Sequence, residues 1–203
     1  MSPAPLPANV TVQVPARLHL GFLDLNGGLG RRFGSIGLAI NGPKTSITIS
    51  AALQMRLTGP ERDRVGSHVE TMRRALGLAG AYDVRINEVV PAHVGLGSGT
   101  QLALAVAAAL RRLHGLPFDV ARDAVRLGRG ARSGVGIGVF ERGGLVVDGG
   151  RGPAGTAAPI VSRMPFPEPW RILLVLDPHR QGICQRKVLY FTTPHRRSSS
   201  YRG

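Results

Sequence analysis

A glycine-rich stretch between a predicted strand and an alanine-rich helix has the residue types of an anion-binding loop. Residues 91–100 read PAHVGLGSGT, with a glycine at every second position from Gly95 to Gly99. Glycine lets backbone amides approach an anion closely, and the helix start adds free N–H groups and a positive dipole end. The hydroxyls of Ser98 and Thr100 suit phosphate oxygens or a magnesium shell. The stretch lacks the Gly-Lys-Ser/Thr ending of a Walker loop. The alternative is a tight strand-to-helix connection capped by one of these hydroxyls, but three alternating glycines favour anion binding.

Other polar residues are candidates for the same site. Arg17 and His19 lie two apart in a predicted strand, so both side chains point to one face. His93 precedes the glycines, either as a donor to a phosphate or as a loop residue without a role. A Gly-rich turn after a predicted helix adds Arg129, Arg132 and Ser133 as candidates for contact with a phosphate. The alternative for Arg129 is that its guanidinium only solvates the end of the helix.

Alternation of apolar and polar residues predicts the strands that must position these groups. The predicted strands are Val10–Val14, Arg17–Leu23, Ser35–Ile40, Thr45–Ser50, Tyr82–Val90, Val135–Phe140, Leu145–Val147 and Arg171–Leu176. A turn at residues 41–43, Asn-Gly-Pro, is expected to separate the third strand from the fourth. The last strand is a continuous apolar run and is expected to be buried.

Three helices are predicted from their end signals and composition. The first begins at a capping box, Ser67 to Glu70, and ends at Gly77, which accepts a left-handed cap conformation. The strongest prediction is Gln101–His114, which is rich in alanine and leucine and is expected to be deeply buried. A shorter helix follows at Asp119–Leu127, with its first residue as the cap. Strands and helices in this order predict an α+β fold.

Composition limits the class of protein. The chain has 203 residues, of which 43% are hydrophobic and 19% charged, as in globular domains. No apolar run approaches the ~18 residues that span a bilayer, and residues 1–9 do not resemble a signal peptide. A single cysteine, Cys184, excludes an internal disulfide framework, and the six histidines lack metal-ligand spacing. We therefore expect a soluble, cytoplasmic protein with no membrane partner and no protein-built metal site.

The net charge of +14 raises nucleic acid as a partner. A site for phosphorylated small molecules is also basic, so the charge does not decide between these classes. No acidic residue follows Asp177, and from Cys184 onward the composition becomes basic and loses its core-building residues. This tail is either an ordinary disordered extension or the product of out-of-frame translation. We favour the second interpretation, because the change comes just after a strand that should lead into more fold.

The glycine stretch resembles the phosphate-binding motif of the GHMP superfamily of small-molecule kinases. Longer segments resemble the beta-ribofuranosylaminobenzene 5'-phosphate synthase family of that superfamily. They are residues 15–27 (PARLHLGFLDLNG), Arg31, residues 34–38 (GSIGL) and residues 97–103 (GSGTQLA). The resemblance covers about residues 10–182. It implies that 4-aminobenzoate condenses with phosphoribosyl pyrophosphate, releasing carbon dioxide and pyrophosphate, in tetrahydromethanopterin biosynthesis.

The resemblance also implies roles for individual residues. Gly95, Leu96, Gly97, Ser98, Gly99 and Thr100 would hold pyrophosphate, and Mg²⁺ would be bound largely by the substrate. Asp24 and Arg31 would bind 4-aminobenzoate, with Arg17 and His19 facing the same pocket. A guanidinium pairs with a benzoate carboxylate, and a carboxylate accepts from an aromatic amine. The alternative is a structural Asp24–Arg31 pair that holds the intervening loop.

One departure from the superfamily's kinases favours the synthase. Kinases of the mevalonate type carry Ser-Gly-Leu-Asp before a Gly-Gly pair, and the aspartate serves as base. Here residues 133–136 read SGVG, so Gly136 occupies the position of that base. Glycine cannot accept a proton, which disfavours aspartate-type kinase chemistry. Since some GHMP kinases lack this aspartate, an ATP-dependent small-molecule kinase stays an alternative, as does a non-catalytic basic fragment that binds nucleic acid weakly.

The expected organisation has four parts. Residues 1–9 form a disordered N-terminus, residues 10–165 the GHMP N-terminal domain, residues 166–183 the start of an incomplete ferredoxin-like domain, and residues 184–203 the basic tail. By the resemblance, the full-length family is homodimeric, and this chain is a truncated or frameshifted member.

Overall fold

A computed structural model describes residues 6–28, 30–92, 94–152, 155–175 and 188–192. Within these ranges the chain forms four helices and eight strands. The helices are α1 (Arg62–Leu76), α2 (Ser98–Leu113), α3 (Val120–Arg126) and α4 (Val135–Arg142). The strands are β1 (Asn9–Asp24), β2 (Phe33–Ala52), β3 (Arg56–Thr58), β4 (Ala81–Glu88), β5 (Leu145–Asp148), β6 (Ile160–Met164), β7 (Arg171–Val175) and β8 (Val188–Thr192). This mixture confirms the α+β class. None of the described helices has the length and apolar character needed to cross a membrane.

One long strand organises the main sheet. The six-stranded sheet has the order β3-β4-β2-β5-β6, and β1 lies along the other side of β2. The β1–β2 pairing is antiparallel and runs almost the full length of both strands. On its opposite edge, β2 pairs with β4 near its C-terminal end and with β5 near its N-terminal end. A separate two-stranded antiparallel sheet consists of β7 and β8.

The predicted turn at residues 41–43 is wrong, because β2 continues through it. Pro15 pairs with Lys44, whereas the next residue of β1, Ala16, pairs with Ile40. Residues 41–43 therefore form a bulge in an otherwise continuous strand. A proline is tolerated there, since a bulge requires no ladder hydrogen bond from its nitrogen.

The start predicted for the first helix is also wrong. Helix α1 begins at Arg62, and Ser67 lies exposed inside it. Instead of closing a capping box, Glu70 accepts hydrogen bonds from Arg73 at 3.0 Å and Arg74 at 2.7 Å. The capping-box pattern misleads because an i,i+3 Ser–Glu spacing also occurs inside helices. The predicted end is confirmed, because Gly77 adopts the left-handed conformation with φ of 65°.

Residues 135–140 form the beginning of helix α4 and not the predicted strand. Its alternation of β-branched residues and glycine suggests a strand, but close packing decides the conformation. A Cβ on Gly138 would lie 2.7 Å from Val146 Cγ1, so the helix backbone rests directly on β5. Tertiary packing thus overrides propensity here. Helix α2 begins three residues before its predicted start, and the Asp119 cap of α3 is confirmed by its bond from the Arg122 amide at 3.1 Å.

The core lies on both faces of the sheet. On one face, α1 and α2 cover a cluster that includes Ile47, Val84 and Val106. Helix α2 is buried along almost its whole length, as predicted. A second cluster, which includes Leu18 and Leu38, packs against alternate residues of β7.

Strand β7 forms where predicted but is only half buried. Its outer side chains Leu173 and Val175 are 56% and 51% exposed, because the strand packs on the domain through one face only. Its partner β8 falls inside the stretch expected to be a basic tail, so residues 188–192 contribute a strand that the composition does not suggest. Leu176, Cys184 and the rest of the predicted tail lie outside the described residues.

Candidate active site

The glycine loop lies between β1 and the start of α2, and a backbone hydrogen bond holds it against β1. Gly95 and Gly97 have positive φ values of 69° and 77°. Leu96 points into the core, and its carbonyl oxygen accepts from the Arg17 amide at 3.0 Å. Helix α2 then begins at Ser98, which is buried and has no preceding side-chain cap. The first turn of α2 therefore presents uncapped backbone amides beside the loop, as an anion site requires. His93 lies outside the described residues.

Three arginines converge on this loop, and the glycines make their approach possible. A Cβ on Gly97 would lie 2.6 Å from Arg17 Cγ and 2.7 Å from Arg17 Nε. A Cβ on Gly99 would lie 2.7 Å from Arg64 Nη2 and 3.3 Å from Arg129 Nη1. Any larger residue at either position would push a guanidinium away. The loop glycines thus serve arginine packing as well as backbone approach.

Few acidic side chains neutralise the charges of these arginines. Burial lowers the pKa of Arg17, and the charge of Asp148 offsets only part of that effect. Burial and the neighbouring Arg64 lower the pKa of Arg129. Burial, followed by the charges of Arg129 and Arg64, lowers the pKa of His68 to about 4. Glu61 neutralises part of the group through a 2.9 Å pair with Arg64.

Buried polar atoms at the same place have no hydrogen-bond partner among the described residues. They are Nε of Arg17, Nε of Arg129 and Nε2 of His68. A buried polar atom without a partner costs free energy, so an anion that accepts from it would stabilise the folded chain. We call residues 95–100 with Arg17, Arg64, His68 and Arg129 the anion cradle. Sequence reasoning missed Arg64 and His68, which come from α1, far from the loop in sequence.

Position 136, where mevalonate-type kinases carry their catalytic aspartate, has no space for a side chain. A Cβ on Gly136 would lie 2.7 Å from Thr100 Cγ2 and 3.4 Å from Thr100 Oγ1. The Gln101 side chain donates to the Gly136 carbonyl at 3.1 Å. The first turns of α2 and α4 therefore touch through Thr100, with no room for a carboxylate at position 136.

A buried carboxylate ties α4 to the sheet beside the cradle. Asp148 is fully buried at the end of β5. It accepts from Ser35 Oγ at 2.5 Å, Ser133 Oγ at 3.1 Å and the Gly134 amide at 2.9 Å. Its other oxygen accepts from the Gly150 amide at 2.9 Å. Asp148 thus acts as a local scaffold, and it explains why Ser133 points to the sheet.

The other two predicted site residues, Asp24 and Arg31, contact backbone groups. Asp24 is buried at the end of β1, where its Oδ1 accepts from the Gly27 amide at 2.7 Å and the Gly28 amide at 3.2 Å. Arg31 is exposed and donates to the Gly150 carbonyl at 3.3 Å. Asp24 therefore shapes the turn that follows β1, and Arg31 reaches the loop after β5. Their contact with a substrate stays a prediction.

Aromatic rings continue the site along the same face of the sheet. Arg17 and His19 pair with Ala39 and Gly37, so both side chains emerge on the face covered by α4. The His19 ring lies 4.5 Å from the Phe22 ring, which lies 5.5 Å from the Phe33 ring. The guanidinium of Arg132 lies 5.7 Å from the Phe33 ring centroid.

Two further observations limit what the site could bind and where in the structure it lies. In the part of the chain that the structure describes, no cluster of three or more His, Cys, Asp or Glu could hold a metal ion. A wide cleft of about 960 Å³ lies elsewhere, between the bulge of β2, the end of β6 and β7. It is lined by residues such as Asn41, Arg163 and Trp170 and by none of the anion cradle, so we do not place the chemistry there.

Comparison with known proteins identifies the fold. The family profile described as GHMP kinases N terminal domain matches residues 63–144, which include α1 from its second residue, the glycine loop and the whole of α2, α3 and α4. The solved structure of 4-(cytidine 5'-diphospho)-2C-methyl-D-erythritol kinase aligns with a TM-score of 0.60 and 18% identity, over 85% of this chain and 61% of that chain. Homoserine kinase from Cytophaga hutchinsonii aligns with a TM-score of 0.61 and 17% identity, over 90% and 59%. The fold is that of the GHMP superfamily.

Sequence relatives define the family more narrowly. Beta-ribofuranosylphenol 5'-phosphate synthase of Archaeoglobus fulgidus is 33% identical over 192 residues, which are 89% of this chain and 61% of the relative. The enzyme of the same name from Methanocaldococcus jannaschii is 40% identical over 153 residues, 68% of this chain and 46% of the relative. The chain is therefore similar to this synthase family at 33–40% identity, which confirms the resemblance. It spans about three fifths of the length of the first relative.

Proposed function

We propose that the protein acts in decarboxylating ribosyl transfer from phosphoribosyl pyrophosphate to an aromatic carboxylic acid. The observation that carries the proposal is the anion cradle, in which three guanidiniums meet the first turn of α2 around Gly97 and Gly99. The A. fulgidus relative is named for the synthesis of a ribofuranosylphenol 5'-phosphate. A pyrophosphate leaving group needs the stabilised negative charge that such a cradle offers.

In the proposed reaction, the bond between the ribose anomeric carbon and the pyrophosphate oxygen breaks, and its electron pair leaves with pyrophosphate. The ring carbon that bears the carboxylate attacks the anomeric carbon. The bond to the carboxylate then breaks, carbon dioxide leaves, and its electron pair restores aromaticity. Proton abstraction from a hydroxyl has no place in this sequence, consistent with Gly136 in place of a base. The protein contributes positioning and charge stabilisation.

Magnesium is proposed to enter with the substrate. Phosphoribosyl pyrophosphate presents its own phosphate oxygens, and Mg²⁺ commonly binds through such oxygens with few protein ligands. The hydroxyls of Ser98 and Thr100 lie in the first turn of α2 and are the side chains we propose to face this ion or its phosphate. Asp24 and Arg31 are proposed to act on the acceptor, as the family resemblance implies.

The acceptor is proposed to be a benzoate with a polar para substituent. The relatives are named for a phenol product, which corresponds to 4-hydroxybenzoate, while the motif resemblance implies 4-aminobenzoate. Both acids share the carboxylate and the ring that the reaction uses. A direct competition between the two acids for one protein preparation decides which is preferred.

The reaction is tested with carboxyl-labelled acceptor and phosphoribosyl pyrophosphate. We expect release of labelled carbon dioxide and pyrophosphate without ATP. A strict requirement for ATP with a phosphorylated product would contradict the proposal and favour a kinase.

Site variants test the division of labour. Ser98→Ala should weaken binding of phosphoribosyl pyrophosphate by ~1.5 to 3 kcal/mol, the value of one hydrogen bond to a charged oxygen. Its effect on the aromatic acid should be smaller, and Arg31→Ala should show the reverse preference. Ser67→Ala, on the exposed face of α1, is the matched control. If the chain only binds nucleic acid through its basic residues, Ser98→Ala would leave salt-sensitive duplex binding unchanged.

A further inference from the structure

The proposed reaction needs a surface for the acceptor ring, and the structure contains one of which the motif resemblance identifies only His19. We propose that the rings of His19, Phe22 and Phe33, together with the guanidinium of Arg132, form the binding surface for the aromatic carboxylic acid. We call these four residues the aromatic shelf. The inference rests on the proposed function and names the residues that recognise the acceptor.

The three rings form a row of contacting aromatic side chains that is partly exposed. The His19–Phe22 and Phe22–Phe33 ring planes are tilted by 57° and 52° at centroid distances of 4.5 and 5.5 Å. Rings at such distances attract one another, and a further ring gains the same interaction. Phe22 is 37% exposed and Phe33 is half-buried. A benzoate ring can therefore reach them without displacing the core.

The backbone at Phe33 gives independent support. This residue has a φ of 75°, a conformation that bulky side chains rarely adopt and that Asn or Gly would adopt at lower cost. It begins β2 and pairs with Asp24, the predicted acceptor residue at the end of β1. Backbone strain of this kind persists where the surroundings enforce it and is concentrated at ligand sites. In this conformation the Phe33 ring contacts Phe22 and Arg132.

Arg132 supplies the charge that a benzoate needs. Its guanidinium lies 5.7 Å from the Phe33 centroid, and no salt bridge between described residues involves it. A guanidinium can stack on a ring and at the same time pair with a carboxylate at its edge. An acceptor lying against Phe33 would thus meet its counter-charge at Arg132.

The shelf adjoins the anion cradle. His19 follows Arg17 by two residues in β1, a rise of about 7 Å along the strand. Arg17 contacts the glycine loop at Gly97. His19 is therefore the member of the shelf that lies toward the anion cradle, and the acceptor is proposed to present its reacting carbon at this end.

Binding to the full 203-residue chain tests the shelf without requiring turnover. Isothermal titration with 4-hydroxybenzoate, 4-aminobenzoate and inorganic pyrophosphate is compared between the parent and two variants, Phe33→Asn and Arg132→Gln. Phe118→Asn, on an exposed phenylalanine before α3, and Arg112→Gln, at the exposed C-terminal end of α2, are matched controls. Thermal unfolding is recorded for every variant.

We expect Phe33→Asn to weaken binding of both acids about tenfold or more, because it removes an aromatic contact and its buried area. Its affinity for pyrophosphate should stay within about twofold, and its melting temperature should not fall, because asparagine tolerates the left-handed backbone. Arg132→Gln should also weaken both acids about tenfold or more. Both controls should match the parent.

Three outcomes would overturn the proposal. They are unchanged affinity of Phe33→Asn for the acids, an equal loss for acids and pyrophosphate, and a lowered melting temperature that accounts for lost binding of both ligands. If the folded parent binds pyrophosphate but neither acid, the shelf is refuted while the anion cradle stands. If it binds neither pyrophosphate nor the acids, the proposed function itself fails.

Discussion

The contact between Gly136 and Thr100 predicts that the effect of Gly136→Ala on the free energy of unfolding depends on the side chain at position 100. Gly136 is the second residue of α4, where Gly→Ala should by itself stabilise the helix by up to ~1 kcal/mol. The added Cβ, however, would lie 2.7 Å from Thr100 Cγ2, well inside the ~3.5 to 4.0 Å of ordinary carbon contact. Overpacking of this kind costs ~1 to 3 kcal/mol. Gly136→Ala should therefore lower the free energy of unfolding by about 0 to 2 kcal/mol in the parent.

Shortening Thr100 should remove most of that cost. Thr100→Ser removes Cγ2, the atom in the closest contact, while Thr100 Cβ would stay 3.1 Å and Oγ1 3.4 Å from the added Cβ. In this background, Gly136→Ala should cost about 1 to 2 kcal/mol less than in the parent. The coupling free energy between the two positions is then about 1 to 2 kcal/mol, within the range of contacting residues.

Urea unfolding of the parent, both single variants and the double variant measures this coupling. Midpoints are compared at a common m-value, since a changed m-value would report a different unfolded or native state. For a chain of this size, 1 kcal/mol corresponds to roughly 2 to 4 °C in melting temperature, which gives an independent check. If Gly136→Ala has the same effect with threonine and with serine at position 100, Thr100 does not fill this space. The steric reason for excluding a kinase-type aspartate would then be lost.

Three more predictions follow from buried or exposed groups. His68 has a pKa of about 4 in the folded chain against 6.5 as its ordinary value, so the unfolded chain binds more protons between these pH values. The contribution of His68 to the free energy of unfolding is therefore complete above about pH 6.5 and falls by about 3 kcal/mol toward pH 4. Urea unfolding at about pH 7 and about pH 4.5 should show a flatter pH dependence for His68→Gln than for the parent, and equal slopes would contradict the burial of a neutral imidazole. Asp148→Asn should destabilise by about 2 to 4 kcal/mol, because an amide presents a donor to groups that already donate. Asp63→Asn, which changes an exposed carboxylate paired only with Arg62, should cost less than about 1 kcal/mol, and similar costs would argue against the scaffold role of Asp148. The exposed apolar side of β7, Leu173 and Val175, predicts self-association of the chain in size-exclusion chromatography. Leu173→Lys should reduce it without lowering the melting temperature, and unchanged association would show that this side of β7 is not responsible.

The glycine loop could be predicted from sequence because its chemistry is local. Alternating glycines, two hydroxyls and a following helix lie within ten residues, and the structure places them as one turn against β1. The charges around the loop could not be predicted in the same way. Arg64 and His68 come from α1, and only the packing of α1 on α2 brings them near Gly99. A periodicity argument finds the buried face of a helix but does not say which residue of a second element it meets.

Two wrong element predictions have related causes. Residues 41–43 carry every local sign of a turn, but β1 supplies partners on both sides of them, so β2 continues as a bulged strand. Residues 135–140 have the composition of a strand, but glycines at 136 and 138 let a helix approach Thr100 and Val146 more closely than any side chain would permit. In both places the long-range partner decides the local conformation, and a single sequence does not display that partner.

The same glycines explain how a kinase fold can carry a site of different character. At Gly97 and Gly99 the missing side chains admit guanidiniums, and at Gly136 the missing side chain admits a threonine methyl group. Asp148, a buried carboxylate whose charge acts on Arg17, is already engaged by two hydroxyls and two backbone amides. A kinase must take a proton from its acceptor hydroxyl, which requires a free base, whereas a ribosyl transfer must stabilise a departing anion. Among the described residues, the site brings together buried arginine donors without a partner and uses Asp148 in a structural role, and this distribution suits the proposed ribosyl transfer.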